Sequence, residues 1–381
     1  MRIVYLTPTL SSAAGMERVL HNKICYLARK GIYDSTVITS DQGDAPLFFS
    51  FPPSVKLIDL GINYAASYTL SPFKRFISIW RKKRLHRKAL SKYLTNNPSD
   101  IVITLYPSDA SFVPHIHDGS KKVLEFHSNR FFRLNQGYHG LHKVIAKYRT
   151  LLDYCTARRF DRLVVLTKEG AEQWGGERFP RLTVIPNAVT HIPDNLYRKT
   201  GSKRVLAVGR LIYEKGFDRL LQAWAQLPLS LRSEWELDIL GQGVLETELQ
   251  SMIAQLGIHQ SAHICPPTSH IFQEYANCAF LVMSSRSEGF GMVILEALSC
   301  GTPVVSYDFK CGPKELIRNK ENGLLVPEGD ISQLAQAMEL LMTHPAMRET
   351  MSEKAKAVYA SYSEESIMAK WESLFQELTH K

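Results

Sequence analysis

Short apolar runs alternate with longer stretches of helical period along the whole chain. Ile3–Thr7, Thr36–Thr39, Lys56–Leu60, Ile101–Leu105, Val123–Phe126 and Arg162–Leu166 read as strands. After a break come Val205–Val208, Glu236–Leu240, a run at Ile264, Ala279–Met283 and Pro303–Tyr307. Helical periodicity covers Ser12–Lys30, Phe73–Thr95, Leu141–Arg159, Phe217–Leu227, Val244–Leu256, Gly291–Ser299, Ile331–Thr343 and Glu364–Leu378. Near-continuous apolar strands separated by helices predict an α/β fold, with parallel sheets covered on both faces. Pro186–Lys203 carries two prolines with Asn187, Asn195, Gly201 and Ser202, and reads as a linker. It divides the chain into two doubly wound units of about 190 and 180 residues, each a usual domain size.

Composition adds little to this picture, but the distribution of charge adds a good deal. Hydrophobic residues make up 45% and charged residues 22%, which excludes a disordered chain. No apolar run approaches the ~20 residues of a membrane-spanning helix. The apolar stretch at Ile3–Thr7 is too short for a signal-peptide core. Six cysteines show no Cys-x-x-Cys pair, so reduced thiols in a cytoplasmic protein are expected rather than a disulfide framework. The formal charge of +9 is uneven. Residues 1–190 hold 28 basic and 14 acidic groups, whereas residues 191–381 hold 18 and 23. Residues 60–99 contain nine bases and no acid.

Ligands of doubly wound sheets gather beyond the carboxyl ends of the strands, so the residues there decide the chemistry. Ala279–Met283 runs into Ser284-Ser285, then Glu288-Gly289-Phe290-Gly291, then a helix carrying Glu296. The glycines leave backbone N–H groups open to a ligand, and the helix N-terminus favours phosphate. Glu288 and Glu296 can then accept from hydroxyls at two ends of a small polar ligand. Val205–Val208 runs into Gly209-Arg210, with Lys215-Gly216 before the next helix. Two cations at a strand end can neutralise a diphosphate, the arginine as a planar fork and the lysine as a point charge. No G-x-x-x-x-G-K-[ST] and no G-x-G-x-x-G opens a helix here, which argues against a P-loop enzyme and a dinucleotide oxidoreductase.

The Glu288…Glu296 spacing around Gly289-Phe290-Gly291, joined to Gly209-Arg210…Lys215-Gly216, resembles retaining nucleotide-sugar glycosyltransferases of the GT-B fold, family 4, of bacterial surface-glycan type. Pro186-Asn187-Ala188-Val189, Leu240-Gly241-Gln242-Gly243, Ala297–Val305, Gly312-Pro313-Lys314-Glu315 and Asn322–Val326 extend the likeness. It implies two Rossmann-like domains facing a cleft: an acceptor-side domain at residues 1–187 and a donor-binding domain at 188–363. Residues 364–381 would pack back on the first. Arg210 and Lys215 would hold the donor diphosphate, and Glu296 the ribose. Glu288 would contact the donor sugar, with amides of Gly289, Phe290 and Gly291 around it. His263, Ile264, Cys265 and Pro266 would flank the nucleobase. Gly15, in the loop Ser11–Arg18, would bring a backbone amide to the diphosphate, and His127, after Val123–Phe126, would stand near the donor sugar. The implied reaction moves a hexose or N-acetylhexosamine, from a UDP-sugar first of all, to a lipid-linked or cell-envelope glycan. It would proceed with retention and without metal or other cofactor. The alternatives are a GT-B enzyme of another reaction type, or a non-catalytic membrane-associated protein that binds sugar nucleotides.

The nine bases fall on one helical segment, Pro72–Leu94. Phe73, Phe76, Ile77, Trp80, Leu85, Ala89, Leu90 and Tyr93 recur there at roughly helical spacing, with bases between them. A basic amphipathic helix with aromatic residues suits an anionic membrane surface. Lys74, Arg75, Trp80, Arg81, Lys82, Lys83, Arg84, Arg87 and Lys88 are the expected contacts, which would make the protein peripheral at the inner face of the cytoplasmic membrane. A long solvated helix packed by one face on the sheet, or a nucleic-acid surface, are the other two readings. Nucleic acid has no accompanying recognition motif.

Overall fold

The computed structural model describes every residue except 13, 14, 106, 135–138, 190, 191, 194, 195, 197, 198, 380 and 381, and describes residues 107 and 108 without their side chains. The first sheet has seven strands: β1 (Arg2–Thr7), β2 (Asp34–Thr39), β3 (Lys56–Asp59), β4 (Ile101–Thr104), β5 (Lys121–Phe126), β6 (Arg162–Val165) and β7 (Leu182–Val184). The second has six: β8 (Arg204–Val208), β9 (Glu236–Leu240), β10 (Ala262–Cys265), β11 (Phe280–Met283), β12 (Val304–Tyr307) and β13 (Gly323–Val326). Every pairing is parallel. The spatial orders are β3-β2-β1-β4-β5-β6-β7 and β10-β9-β8-β11-β12-β13. Strand order therefore reverses between β1 and β4, and again between β8 and β11, and a crevice opens beyond the strand ends at each reversal.

Alternation along the strands sorts the helices onto the two faces of the first sheet. Ile3, Tyr5, Val37, Ile101 and Ile103 share a core with Leu20, Ile24 and Leu27 of the first helix, Gly15–Lys30. The C-terminal helix, Glu364–Thr379, adds Ile367, Met368, Trp371, Leu374, Phe375 and Leu378 to that core. Val4, Leu6, Ile38, Val102 and Leu124 point the other way, against Leu90 and Leu94 of the helix Pro72–Asn96 and against Trp174. A cavity of about 260 Å³ lies at the hinge, among the first helix, the C-terminal helix and Pro186–Val189.

Two strands, β7 and β13, fall outside those expected from the sequence; β7 has only three residues, too few for a readable period. The first helix begins at Gly15, later than its periodicity suggests. More instructive is β5, which opens on Lys121 and Lys122 and then, within its apolar stretch, buries a carboxylate, Glu125, at 1% exposure. Lys23 from the first helix meets it with Nζ 2.6 and 2.7 Å from the two carboxylate oxygens. The same ammonium lies 3.6 Å from the centre of the Trp371 ring. Burial would raise the Glu125 carboxyl, but Lys23 and then His127 outweigh it and hold the pKa at about 2.

Removing one partner of a buried pair leaves the other charge uncompensated, which costs about 3–5 kcal/mol. Lys23→Met is therefore expected to lower the thermal midpoint sharply, and Lys23→Met/Glu125→Gln to recover much of the loss, both by calorimetry. Because the folded Glu125 pKa lies below its ordinary 4.5, its contribution is complete above that value and is lost as pH falls toward 2. The acid-side fall in the midpoint is expected to be shallower in the double variant than in the wild type.

Candidate functional site in the interdomain crevice

The carboxyl ends of the two sheets meet at the backbone of Gly289. A Cβ built there would stand 1.9 Å from the carbonyl oxygen of His127. Only glycine permits that approach, so one residue after β5 and a glycine beyond β11 bring the domains into contact. Asn129, buried at 2% exposure, donates its side-chain amide to the Ser287 hydroxyl beside this contact. On a neighbouring part of the interface Glu169 accepts from the Cys311 amide at 2.7 Å, and Glu315 accepts from the Lys168 amide at 2.6 Å.

Each carboxylate of the Glu288…Glu296 pair has a cation. Lys215, in a short turn after β8, places Nζ 2.5 Å from Glu288 Oε1. Ser285 donates to the same oxygen at 2.8 Å. Gly216 closes the turn at φ 65°, and a Cβ there would strike the Ser284 carbonyl oxygen at 2.2 Å. Glu296 lies in the helix Met292–Ser299 and is 4% exposed. Its Oε2 accepts from the Tyr275 hydroxyl at 3.0 Å. Its Oε1 lies 3.2 Å from Arg18 Nη1, which reaches across from the first turn of the first helix. Burial pushes the Glu296 carboxyl up, with Arg18 and Tyr275 opposing.

The other residues singled out by sequence fall around this centre in different ways. Arg210, next to Gly209 at the end of β8, is exposed and makes no ion pair with a described residue. Gly291 caps its helix in the left-handed region at φ 91°, without a side-chain cap, which leaves helix-end N–H groups for a ligand. Phe290 faces inward instead, buried at 3% exposure with its ring 5.9 Å from that of Tyr362. His127 Nε2 lies 3.2 Å from Glu125 Oε1, within ion-pair reach but without hydrogen-bond alignment. His263, Ile264 and Cys265 belong to β10, the edge strand, and Pro266 follows it. The Cys265 carbonyl accepts from the Gly241 amide at 2.9 Å, so this edge joins the loop after β9. Gly15 opens the first helix without positive φ, and a Cβ there would meet nothing within 4 Å, so the local backbone does not demand glycine.

Sequence reasoning missed Arg18, Tyr275, Ser285, Asn129 and the Lys23–Glu125 pair. Glu125 and Lys23 left a trace, a charge inside an apolar strand and another on the apolar face of a helix. Arg18 left none, because its partner stands 278 positions away.

Two Rossmann-like sheets facing each other across a crevice constitute the GT-B architecture. Residues 190–358 match the model of the glycosyl transferases group 1 family, and residues 13–191 match that of glycosyltransferase family 4. An uncharacterised glycosyltransferase of Haemophilus influenzae is 30% identical over 98% of this chain and 99% of its own. An exopolysaccharide phosphotransferase of Streptomyces coelicolor is 36% identical over 59% of this chain, which spans only 24% of that protein. A Campylobacter jejuni protein is 33% identical over 40% of this chain and 41% of its own. It is named as an N-acetylgalactosamine-N,N'-diacetylbacillosaminyl-diphospho-undecaprenol 4-alpha-N-acetylgalactosaminyltransferase. Among solved structures, sucrose-phosphate synthase of Thermosynechococcus elongatus superposes with a TM-score of 0.82 at 19% identity, over 99% of this chain and 98% of its own. The pneumococcal O-GlcNAc transferase GtfA, solved with UDP and GlcNAc, gives 0.76 at 16%, over 100% and 99%. This chain belongs to the group 1, family 4 glycosyltransferases.

The glycine contact yields a direct expectation. Gly289→Ala cannot keep the backbone approach to His127, so the domains must separate or shift. Small-angle scattering is expected to report a larger radius of gyration for the variant than for the wild type, with unchanged circular dichroism.

Proposed function

We propose that the protein is a retaining glycosyltransferase that moves a hexose or N-acetylhexosamine from a nucleotide-diphosphate sugar, in the first instance a UDP-sugar, to a lipid-linked or cell-envelope glycan. The observation that carries this reading is the crevice, where two carboxylates beyond the end of β11 are held by Lys215 from their own domain and Arg18 from the other. A diphosphate entering there exchanges one anion for another. Lys215 passes from Glu288 to phosphate, Arg210 adds a planar fork, and the open helix end at Gly291 adds partial positive charge. Glu288, released, accepts from hydroxyls of the donor sugar, within reach of the Gly289, Phe290 and Gly291 amides. Glu296 exchanges Arg18 for the ribose hydroxyls. The nucleobase lies against His263, Ile264, Cys265 and Pro266, and the diphosphate passes the amide of Gly15.

As the bond from the anomeric carbon to the leaving oxygen breaks, negative charge grows on the phosphate. The fixed cations are already aimed at it, which is the form of stabilisation that costs no reorganisation. The acceptor oxygen bonds to the same face of the carbon and passes its proton to the departing phosphate oxygen. His127 stands beside the sugar. The reading needs no metal, and activity is expected to survive a chelator. The Campylobacter relative, named for a diphospho-undecaprenol acceptor, and the UDP-bound neighbour support lipid-linked acceptor and UDP.

Hydrogen bonds to a charged group contribute about 1.5–3 kcal/mol, or roughly ten- to a hundredfold in affinity. Glu296→Ala and Lys215→Ala are each expected to weaken UDP binding by about that factor in titration calorimetry and to depress transfer at least as far. Unchanged affinity and rate in both would overturn the assignment.

An acceptor embedded in a bilayer fits the helix Pro72–Asn96. Among the described residues no helix is long and apolar enough to cross a membrane. Two of the bases expected on the membrane side turn inward: Lys82 donates to the Asn63 carbonyl, and Lys83 is half-buried near Asp109 and Arg149. Lys74, Arg75, Arg81, Arg84, Arg87 and Lys88 remain exposed. Trp80 is 51% exposed, whereas Trp174, Trp224, Trp235 and Trp371 are buried. Vesicles rich in phosphatidylglycerol are therefore expected to shift tryptophan emission to the blue, and Trp80→Phe to abolish the shift.

A further inference from the structure

The helix Gly140–Ala157 carries a surface that the sequence reading left unassigned. Its buried residues are Ala146, Thr150 and Ala157, all small and on one side. Leu141, Val144, Ile145, Tyr148, Leu151 and Leu152 are between 45 and 71% exposed. Cys155 is exposed as well. These positions recur every three or four residues, and at about 100° per residue they cover an arc of roughly 120° opposite the buried side. A surface helix of a soluble domain turns its apolar arc inward; this one turns it outward. Contiguous exposed apolar surface of this kind marks an interaction site.

The surroundings identify the occupant. Lys143 and Lys147 flank the arc on one side and Arg149 on the other, by helical position. The only acid on the helix, Asp153, is taken by Arg133 at 3.1 Å. The basic helix Pro72–Asn96 is a neighbour: Arg149 is close enough to Lys83 to oppose its charge. Between them lies the turn Pro107–Ala110, whose Asp109 approaches His86 of the basic helix to 3.6 Å. The basic helix contributes nine bases and no acid, with Phe73 and Phe76 at least 70% exposed. A second copy of this chain would bring like charges together around the apolar arc. An anionic bilayer satisfies both features, taking the bases at its headgroups and the aliphatic side chains below them.

We propose that the helix Gly140–Ala157 inserts its Leu141–Val144–Tyr148–Leu151 arc into the anionic bilayer, while the helix Pro72–Asn96 supplies the electrostatic attraction. This deepens the membrane-acceptor reading above and rests on it. The division of labour has a signature. Headgroup attraction is screened when the Debye length shrinks to about 3 Å at 1 M salt, whereas apolar insertion is not.

The test is co-sedimentation of the full chain with phosphatidylcholine vesicles containing phosphatidylglycerol, at low and at high salt. The quadruple variant L141S/V144S/Y148S/L151S changes only exposed side chains, so its circular dichroism and thermal midpoint serve as controls for folding. Wild type is expected to bind at low salt and to keep a bound fraction at high salt. The quadruple variant is expected to lose the high-salt fraction and to weaken at least tenfold at low salt. Arg84→Glu/Arg87→Glu/Lys88→Glu is expected to lose the salt-sensitive part of the binding, so that its low-salt fraction falls to about what wild type keeps at high salt. Equal binding of the quadruple variant and the wild type at both salt concentrations overturns the proposal. So does a dimer, seen by light scattering, that the quadruple variant dissolves while vesicle binding stays the same. UDP titration of the same samples separates the two readings: a wild type that binds vesicles but no nucleotide sinks the donor assignment and leaves the insertion standing.

Discussion

Glu296 is a buried carboxylate whose cation comes from the other domain. Burial raises its affinity for a proton, and Arg18, 3.2 Å away, is the largest influence opposing that shift. While the crevice is narrow enough for Arg18 to reach it, that cation and the Tyr275 hydroxyl favour the charged form. The glycine at 289 makes the narrowing possible by letting its backbone press on the His127 carbonyl. The Arg18–Glu296 pair, which alone of the two spans the domains, therefore depends on this close approach, and the approach on the absence of a single Cβ.

On the proposed function, this arrangement is how an acidic half of the chain would suit an anionic donor. Residues 191–381 hold more acids than bases, yet Arg210 and Lys215 stand at the end of β8 and Arg18 arrives from the basic half. Net charge acts at long range and decides encounter. On the proposed function, binding is decided by which few groups reach the crevice, where Lys215 and Arg18 stand and Arg210 would join them.

The parallel sheets were legible in the sequence because buried strands are nearly continuous apolar runs, as in Phe280–Met283 and Val304–Tyr307. The placement of Glu288, Arg210 and Lys215 beyond strand ends was legible because each follows a strand at short spacing. Arg18, Tyr275 and Asn129 were not, because their partners lie far along the chain and only the packed domains join them. Surface orientation was hidden for a different reason. A helical period fixes which residues share a face but not whether that face is buried, and Gly140–Ala157 has its apolar face outward. The same ambiguity hid the inward turn of Lys82 and Lys83.

On the proposed function, a nucleotide diphosphate displaces protein carboxylates from protein cations in the crevice. Hydrogen–deuterium exchange with UDP, GDP and ADP in turn tests it most directly. With at least one of them, protection is predicted in peptides covering residues 15–18, 209–216 and 284–296 together, since the ligand must touch both domains at once. Protection confined to other segments, or none with any of the three, would contradict the account.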